Sequence, residues 1–359
     1  MKKPATQERS ELIWRASIAR GGAVLLGKSF SCDAHEPTRP VRVVTHAHND
    51  HVNGLSKSLR ECSWVLMTEA TRDLLSVLKN KRLSEAPNVI GLRYGQEFRF
   101  GDETLRLVKA KHIIGAAQVL VEDEDGVRLL YTGDFKFPGT PVQEADVLVM
   151  EATYGRPGLV RYFEPEVEGR LVELVEKGLD RGPVYIFGYH GKLQEVMQIL
   201  VDWGLWAPFV LPRSVYDVTR ICERYGMILG DYIPSWSDEA RELVERAEPY
   251  VAFYHVSSSK RIKRHYKMVM SITVSGWELR APVRQVGPRD FVVGLSDHAD
   301  FEGLLAYVEE CGPKLVITDN YRVGHGSVLA EEIRRRLGIP AFAMPSRKPL
   351  RRDLAEWMP

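Results

Sequence analysis

A cluster of metal-competent side chains directly follows a short apolar run, and this junction constrains the fold more than any other feature of the chain. Residues 41–45 have the composition of a buried strand, and three histidines and an aspartate lie within the next six residues. His46 and His48 fall on the same side of an extended backbone, because side chains repeat there with period two. Asp50 and His51 follow as the chain turns, so their side chains face a second position beside the one that His46 and His48 face.

This set of donors favours a divalent metal. Neutral imidazole nitrogens and a carboxylate oxygen suit a borderline cation, zinc above all. The alternative is a polar loop that is rich in histidine by chance. Since the chain has only ten histidines in 359 residues, three of them beside an aspartate make that alternative the weaker one. We therefore predict a metal site in this loop.

The charge balance excludes a global attraction for nucleic acid. The formal net charge is only +1, so a polyanionic partner needs a local basic patch. The run that contains Lys260, Arg261, Lys263 and Arg264 is the candidate, and it carries a tyrosine among its cations, which suits base stacking beside phosphate contact. The alternative for this run is a solvated helix face.

Cysteine use and hydropathy indicate a reducing compartment. The four cysteines are scattered and form no C-x-x-C pair, so neither a cysteine-type zinc site nor a disulfide framework is predicted. The N-terminus leads into polar residues without an apolar segment of the kind found in signal peptides. No stretch approaches the roughly 20 apolar residues of a membrane span. We expect a cytoplasmic protein that does not interact with membranes.

The pattern of predicted strands and helices changes twice along the chain, which predicts one domain inserted into another. The first 150 residues or so alternate short β-type runs with turns and isolated helices, an α+β pattern. After residues 154–157, strands and helices alternate, which indicates βαβ units and a parallel sheet. The strand-rich texture resumes at residue 291. We predict a discontinuous domain of residues 1–155 and 284–359, and an α/β insertion over residues 156–283.

Two isolated residues of the first domain extend the ligand set. A lone histidine is more often structural than a ligand, but His112 lies between two predicted strands, where Gly115 permits a close backbone approach. Asp134 follows a glycine at the end of a predicted strand, a position where aspartate commonly forms a turn. A dinuclear site needs more ligands than the loop at His46 supplies. A third histidine and a bridging carboxylate would complete it.

Glu151 and His298 each follow an apolar strand. A charge at the mouth of a buried strand is costly unless it is paired or functional, and Glu151 stands in that position. His298 comes after Ser296 and Asp297, which are typical of a helix N-cap. Capping accounts for those two residues but does not account for His298. We therefore predict a functional role for both Glu151 and His298.

Together these motifs resemble those of the metallo-β-lactamase superfamily and, within it, its β-CASP nucleases. The match runs from about residue 33 to the C-terminus, and six motifs occur in the order of that family. The residues that carry it are Asp33, His46, His48, Asp50, His51, His112, Asp134, Glu151 and His298. Lys192 lies in a Gly-Lys-x-Gln-Glu helix start like that of the β-CASP insertion, and Ser275-Gly276-Trp277 resembles its final strand in the DNA cross-link-repair and ligase-associated exonuclease branches.

The resemblance implies an α+β fold, an αββα metallo-β-lactamase sandwich with an inserted α/β β-CASP domain. It implies two Zn²⁺ ions as cofactors, with Mn²⁺ as the alternative ion. The ligands it assigns are His46, His48 and His112 for one ion, Asp50 and His51 for the second, and Asp134 as the bridge between them.

One position departs from the RNA-processing members of the family. They carry a last histidine at the end of the strand that we predict at residues 315–318, whereas this chain has Asp319 there and its next histidine is His325. Two hypotheses stay open, since either His325 reaches the second metal across a longer loop or Asp319 does so. In the DNA-repair branch this position is apolar and the second metal is held more weakly. The choice between RNA and DNA therefore also stays open.

The implied function is hydrolysis of phosphodiester bonds in RNA or DNA, with a single-stranded substrate and exonuclease action favoured. A metal-activated water attacks the phosphorus, and Asp50 is counted among the catalytic residues. His298 protonates the leaving 3′ oxygen and Glu151 orients that histidine. Lys192 and the run at Lys260 would contact phosphates.

Two other functions were weighed. A small-molecule hydrolase of the same superfamily, such as a thioesterase or a lactonase, would share the metal ligands but would not need the insertion or the pair of Glu151 and His298. A non-catalytic binding subunit is disfavoured by the intact ligand motifs. Nucleic acid is the expected partner, and a homodimer or other nucleic-acid-processing proteins are the candidate assemblies.

Overall fold

A computed structural model of the chain describes residues 11–79, 81–266 and 268–346. The described residues form two compact units. The first contains residues 11–76, 81–160 and 298–346, and the second contains residues 77–79 and 161–297. The N-terminal residues on which the cytoplasmic prediction partly depends lie outside the described residues.

Two β-sheets form the first unit. The six strands of one sheet lie side by side in chain order: β1 (Ala16–Ile18), β2 (Val24–Leu26), β3 (Phe30–Cys32), β4 (Val41–Val43), β5 (Trp64–Thr68) and β6 (Val89–Leu92). The spatial order of the other sheet is β20 (Ala341–Met344), β19 (Leu315–Asp319), β11 (Val147–Met150), β10 (Arg128–Tyr131), β9 (Ala117–Glu122), β8 (Glu103–Lys109) and β7 (Glu97–Phe100). Strands β10, β11, β19 and β20 are parallel. Their C-terminal ends therefore meet at one edge of this sheet.

One apolar core joins the two sheets. Phe30 and Val41 of the first sheet belong to the same buried cluster as Val119, Val147 and Ile317 of the second. Alternate residues of each strand face this core because side chains repeat with period two. Burial of apolar surface between the sheets is the main source of stability here. The predicted α+β sandwich is confirmed.

Helices cover this sandwich. Those of the first unit are α1 (Leu55–Glu61), α2 (Glu69–Leu78), α8 (Phe301–Cys311) and α9 (Gly326–Leu337). Helix α1 packs against β5, and α9 packs against β19 and β20. The buried side of α9 carries Leu329, Ala330 and Ile333, at the spacing of an apolar helix face, and the helix ends at Gly338 in the left-handed conformation.

The second unit is an α/β structure built on a mostly parallel sheet. The strands in spatial order are β14 (Tyr232–Pro234), β13 (Phe209–Leu211), β15 (Val251–His255), β12 (Val184–Gly188), β16 (Met270–Val274), β18 (Asp290–Val293) and β17 (Val283–Gln285). Its helices are α3 (Glu164–Leu179), α4 (Lys192–Asp202), α5 (Arg213–Arg224), α6 (Asp238–Glu245) and α7 (Ser259–His265). The alternation of strands and helices is the one that the sequence texture predicts. Within the described residues, no helix is both long and apolar enough to cross a membrane.

The second unit extends beyond the predicted end of the insertion at residue 283. Strand β18 pairs in parallel with β16, and β17 pairs with β18. Both strands thus belong to the sheet of the second unit, which runs to residue 297. A short apolar strand has the same sequence pattern in either sheet, so the pattern alone does not reveal its partner. The prediction that residues 284–297 belong to the first domain differs from the structure for this reason.

Candidate active site

Four of the predicted metal ligands meet at one edge of the first unit. Strand β4 leads into the loop with His46 and His48, His112 lies in the loop between β8 and β9, and Asp134 follows β10. One ligand atom from each of these four side chains lies within 4.8 Å of the others. The residues come from three separate parts of the chain, so it is the fold that brings them together.

Three imidazoles form the centre of this group. The Nδ1 atom of His48 lies 3.1 Å from Nε2 of His46 and 3.1 Å from Nε2 of His112. The Asp134 Oδ2 atom lies 3.7 Å from Nε2 of His46. Burial, together with the neighbouring imidazoles, lowers the pKa of His46 well below its usual range. His46 is therefore neutral, which is the form that binds a metal.

A second group shares Asp134 with the first. Asp50, His51 and Asp134 offer ligand atoms within 4.8 Å of one another. The Nε2 atom of His51 lies 3.1 Å from Oδ2 of Asp134 and 3.4 Å from Oδ2 of Asp50. Burial opposes charge on His51, but Asp134 and Asp33 outweigh it and raise its pKa well above the usual range. This group therefore attracts positive charge.

Asp33 orients the second group from behind. Its carboxylate is fully buried and lies 2.7 Å from Nδ1 of His51. It also accepts hydrogen bonds from the backbone N–H and the hydroxyl of Thr45, both at 2.8 Å. A carboxylate on Nδ1 directs the lone pair on Nε2 of such a histidine towards a metal. Asp33 thus supports His51 and is not itself placed among the ligand groups.

The donors of both groups fit a divalent cation. The Nε2 atom of His51 is buried and has no hydrogen-bond partner within the part of the chain that the structure describes. An unpartnered buried nitrogen is costly unless another ligand satisfies it. Imidazole nitrogens and carboxylate oxygens are ligands for zinc and for other first-row ions.

Glu151 and His298 are within hydrogen-bond distance of each other beside the ligand groups. The Nδ1 atom of His298 lies 3.0 Å from each carboxylate oxygen of Glu151. The buried Glu151 also accepts a hydrogen bond from the backbone N–H of Phe135 at 2.9 Å. The His298 ring lies 4.8 Å from the ring of His112, and ligand atoms of Asp134, Glu151 and His298 lie within 4.8 Å of one another. The two residues predicted to work together are therefore in contact.

The chain is similar to several known proteins. The family described as "Beta-lactamase superfamily domain" matches residues 32–171. An uncharacterized protein from the lig 3′ region of Acidianus ambivalens is 43% identical over 140 residues, which are 38% of this chain and all of that protein. A probable RNase of Methanocaldococcus jannaschii is 27% identical, over 52% of this chain and 51% of that protein.

The chain belongs to the β-CASP family of the metallo-β-lactamase superfamily. A probable DNA ligase of Opitutus terrae matches 87% of this β-CASP chain at 29% identity, but the match covers only 29% of the ligase. This chain thus spans about half of the RNase and less than a third of the ligase. A solved structure of an Enterococcus faecalis protein of unknown function shares the fold, with a TM-score of 0.57 at 15% identity over 86% of this chain and 80% of that one. The metallo-β-lactamase fold implies that the protein binds divalent metal.

Both candidates for the last ligand of the RNA-processing members contact other groups of the chain. The Nδ1 atom of His325 lies 3.1 Å from the carbonyl oxygen of Thr153. Asp319 is buried, accepts a hydrogen bond from the backbone N–H of Tyr321 at 2.7 Å and forms a close ion pair with Arg322. Within the described residues, neither His325 nor Asp319 belongs to a metal-competent group. Neither hypothesis for this position gains support from these contacts.

Arg322 is the residue of this β-CASP site that sequence reasoning missed. Its Nη2 atom lies 4.0 Å from Oδ2 of Asp33, and its Nε atom lies 4.0 Å from Oδ2 of Asp50. An arginine in a loop is usually solvated, so Arg322 was not among the predicted site residues. The available signal was its position three residues after Asp319, at the end of a buried strand.

Lys192 has a different environment from the one we predicted for a phosphate contact. It begins α4 and is buried, with its Nζ atom in a close ion pair with Glu195 and 3.4 Å from Oδ1 of Asp297. Burial lowers and the two carboxylates raise the pKa of Lys192, with a net rise. In the β-CASP insertion of this chain, Lys192 therefore neutralises two neighbouring carboxylates.

Lys192→Met is expected to lower the free energy of unfolding by about 3 kcal/mol, because it leaves Glu195 and Asp297 without their cation. Chemical denaturation followed by circular dichroism measures the change. Lys177→Met is the matched control, since Lys177 is exposed on α3 and lies 3.9 Å from Glu173. Its effect should stay within about 0.5 kcal/mol. A stable Lys192→Met protein with weakened oligonucleotide binding would instead support the phosphate contact.

The basic run lies on α7, and three of its four members are exposed. Lys260, Arg261 and Arg264 face solvent. Lys263 is partly buried, pairs with Asp290 at 2.8 Å and lies 5.4 Å above the ring of Phe187. The exposed three are therefore the members that are available to a polyanion.

Proposed function

We propose that this β-CASP protein is a zinc-dependent nuclease that hydrolyses phosphodiester bonds of single-stranded RNA or DNA from an end. The contact between Glu151 and His298 beside the ligand groups carries this proposal. The similarity to a probable RNase of M. jannaschii supports it. A thioesterase or lactonase would use the same metal ligands but would have no need of the pair of Glu151 and His298 or of the inserted unit.

The residues of two groups would hold the metal. The first consists of His46, His48, His112 and Asp134, and the second of Asp50, His51 and Asp134. When bound, the ions supply a water of lowered pKa and positive charge for the phosphoryl oxygens. Because Asp134 belongs to both groups, it would serve both ions, and Asp50 would complete the second.

His298 would act as the general acid. Its Nδ1 atom is engaged by Glu151, so a proton passes to substrate from Nε2. A carboxylate at Nδ1 stabilises the protonated ring and fixes its orientation. Glu151 is itself held by the backbone N–H of Phe135 at 2.9 Å. Protonation of the 3′ oxygen leaves a 3′-hydroxyl on one product and a 5′-phosphate on the other.

The decisive test uses end-labelled single-stranded RNA and DNA with either a 5′-phosphate or a 5′-hydroxyl, in zinc or in manganese. A ladder that shortens stepwise from one end is expected, and the faster substrate identifies the preferred sugar. Asp134→Ala protein purified in parallel is the control for contaminating nucleases. Faster hydrolysis of a simple thioester or lactone than of any oligonucleotide would contradict the proposal.

Replacing Lys260, Arg261 and Arg264 by alanine should weaken substrate binding most at low salt. Each phosphate contact on a single strand contributes a slope of about −0.7 to the logarithmic dependence of affinity on salt, so the slope should flatten by up to about two units. Fluorescence anisotropy of a labelled oligonucleotide at several salt concentrations measures it.

The matched control for that experiment replaces three exposed arginines, Arg220 on α5, Arg241 within α6 and Arg246 just beyond the end of α6. This variant removes the same charge from the same unit and should leave the slope close to that of the wild type. Equal slopes for the α7 variant and the wild type would show that α7 is only a solvated face.

A further inference from the structure

A buried arginine, Arg322, lies beside the second ligand group. The side chain of Arg322 is 9% exposed and forms a close ion pair with Asp319. Its other nitrogens approach Asp33 and Asp50, each at 4.0 Å. Three carboxylates thus surround one guanidinium.

These contacts leave part of the guanidinium unsatisfied. Within the described residues, the Nε and Nη2 atoms of Arg322 have no hydrogen-bond partner, since a separation of 4.0 Å is too long for a hydrogen bond. Buried donors of this kind are costly unless strong electrostatics compensate. Burial lowers the pKa of Arg322, but Tyr131, Asp319, Asp33 and Asp134 outweigh it and raise the pKa further above its usual value. The Arg322 side chain is therefore always positively charged, and the neighbouring carboxylates stabilise that charge.

We propose that Arg322 is a positioning residue that makes the two halves of the metal centre unequal, by lowering the affinity of the group formed by Asp50, His51 and Asp134 for a second divalent ion. It does so in two ways. Its fixed positive charge repels a cation at this group, and its ion pair keeps the Asp319 carboxylate away from it. The inference rests on the metal centre of the proposed function and does not depend on nuclease activity.

Arg322 acts on the second ligand group directly, because its Nε atom lies 4.0 Å from the Asp50 carboxylate. The first ligand group consists of ring nitrogens of His46, His48 and His112 together with the Asp134 carboxylate. Electrostatic energy at such separations is large even at a high effective dielectric constant. The two affinities should therefore differ.

Titration of metal-free protein with zinc, in competition with a fluorescent chelator, tests the inference without any measurement of activity. The wild type should show one tight site and a second that is weaker by about tenfold or more. Arg322→Gln, which removes the charge, should tighten the second site by about tenfold or more and leave the first site unchanged. Arg322→Lys keeps the charge and should resemble the wild type.

Arg99→Gln is the matched control, because Arg99 is 77% exposed and lies on β7 of the same unit. A folded Arg322→Gln protein whose second zinc constant equals that of the wild type overturns the inference. If circular dichroism shows that Arg322→Gln does not fold, the wild type decides, because two equal zinc constants overturn the inference as well. Tighter binding at the second site in Arg322→Gln, in a protein without nuclease activity, would uphold the role of Arg322 and reject the proposed function. Wild-type protein that binds no zinc would reject both.

Discussion

Asp134→Ala is expected to remove most of the bound metal and all hydrolytic activity. Its Oδ2 atom lies 3.1 Å from Nε2 of His51, 3.7 Å from Nε2 of His46 and 4.0 Å from Nε2 of His112. It is therefore the one carboxylate common to both ligand groups. Loss of this carboxylate weakens both groups at once, whereas loss of Asp50 would weaken only one.

Elemental analysis of purified protein and hydrolysis of a labelled oligonucleotide measure the two effects of Asp134→Ala. Asp102→Ala is the matched control, since Asp102 is an exposed carboxylate in the turn between β7 and β8. It should keep its metal and its rate. An Asp134→Ala protein that retained two equivalents of zinc would show that the ligand groups are wrongly assigned.

His298→Ala should keep nearly full metal content and lose about 10²–10⁴-fold in rate, the usual contribution of general acid catalysis. The reason is that Glu151 engages His298 through Nδ1. The change should appear in the catalytic rate constant more than in the binding of substrate, because the proton is transferred only in the transition state.

Metal content and single-turnover rates of His298→Ala decide this prediction. His325→Ala is the matched control, because His325 contacts the carbonyl oxygen of Thr153 and belongs to no ligand group in the described part of the chain. It should keep both metal and rate. Loss of zinc from His298→Ala in step with its activity would make His298 a ligand and reject the general acid assignment.

The local sequence allowed predictions where one short segment contains several candidate functional residues. The loop from His46 to His51 could be interpreted because a strand precedes it and side-chain periodicity fixes the directions of the histidines. Glu151 and His298 were also singled out by local signals, as charged or polar residues directly after apolar strands. Their contact at 3.0 Å could be anticipated only through the resemblance to a family, since the two are far apart in sequence.

The parts that sequence did not reveal depend on distant partners. Lys192 begins a helix, a position that is usually exposed, and its partner Asp297 comes from the far end of the inserted unit. Arg322 was missed because the path of its loop sets its approach to Asp33 and Asp50, and no local pattern encodes that path. The membership of β18 in one sheet or the other depends likewise on pairing across the chain.

Strand β11 is synthesised long before one of its two neighbours in the sheet. This strand is buried along its whole length and lies between β10 and β19 in the sheet. Val147 pairs with Leu315, so one edge of β11 stays open until the C-terminal part of the chain has been synthesised. Meanwhile residues 161–297, a continuous stretch that makes up most of the second unit, are synthesised. The nascent chain therefore carries an apolar, unpaired strand edge during this interval, and such edges are the ones that chaperones and aggregation compete for.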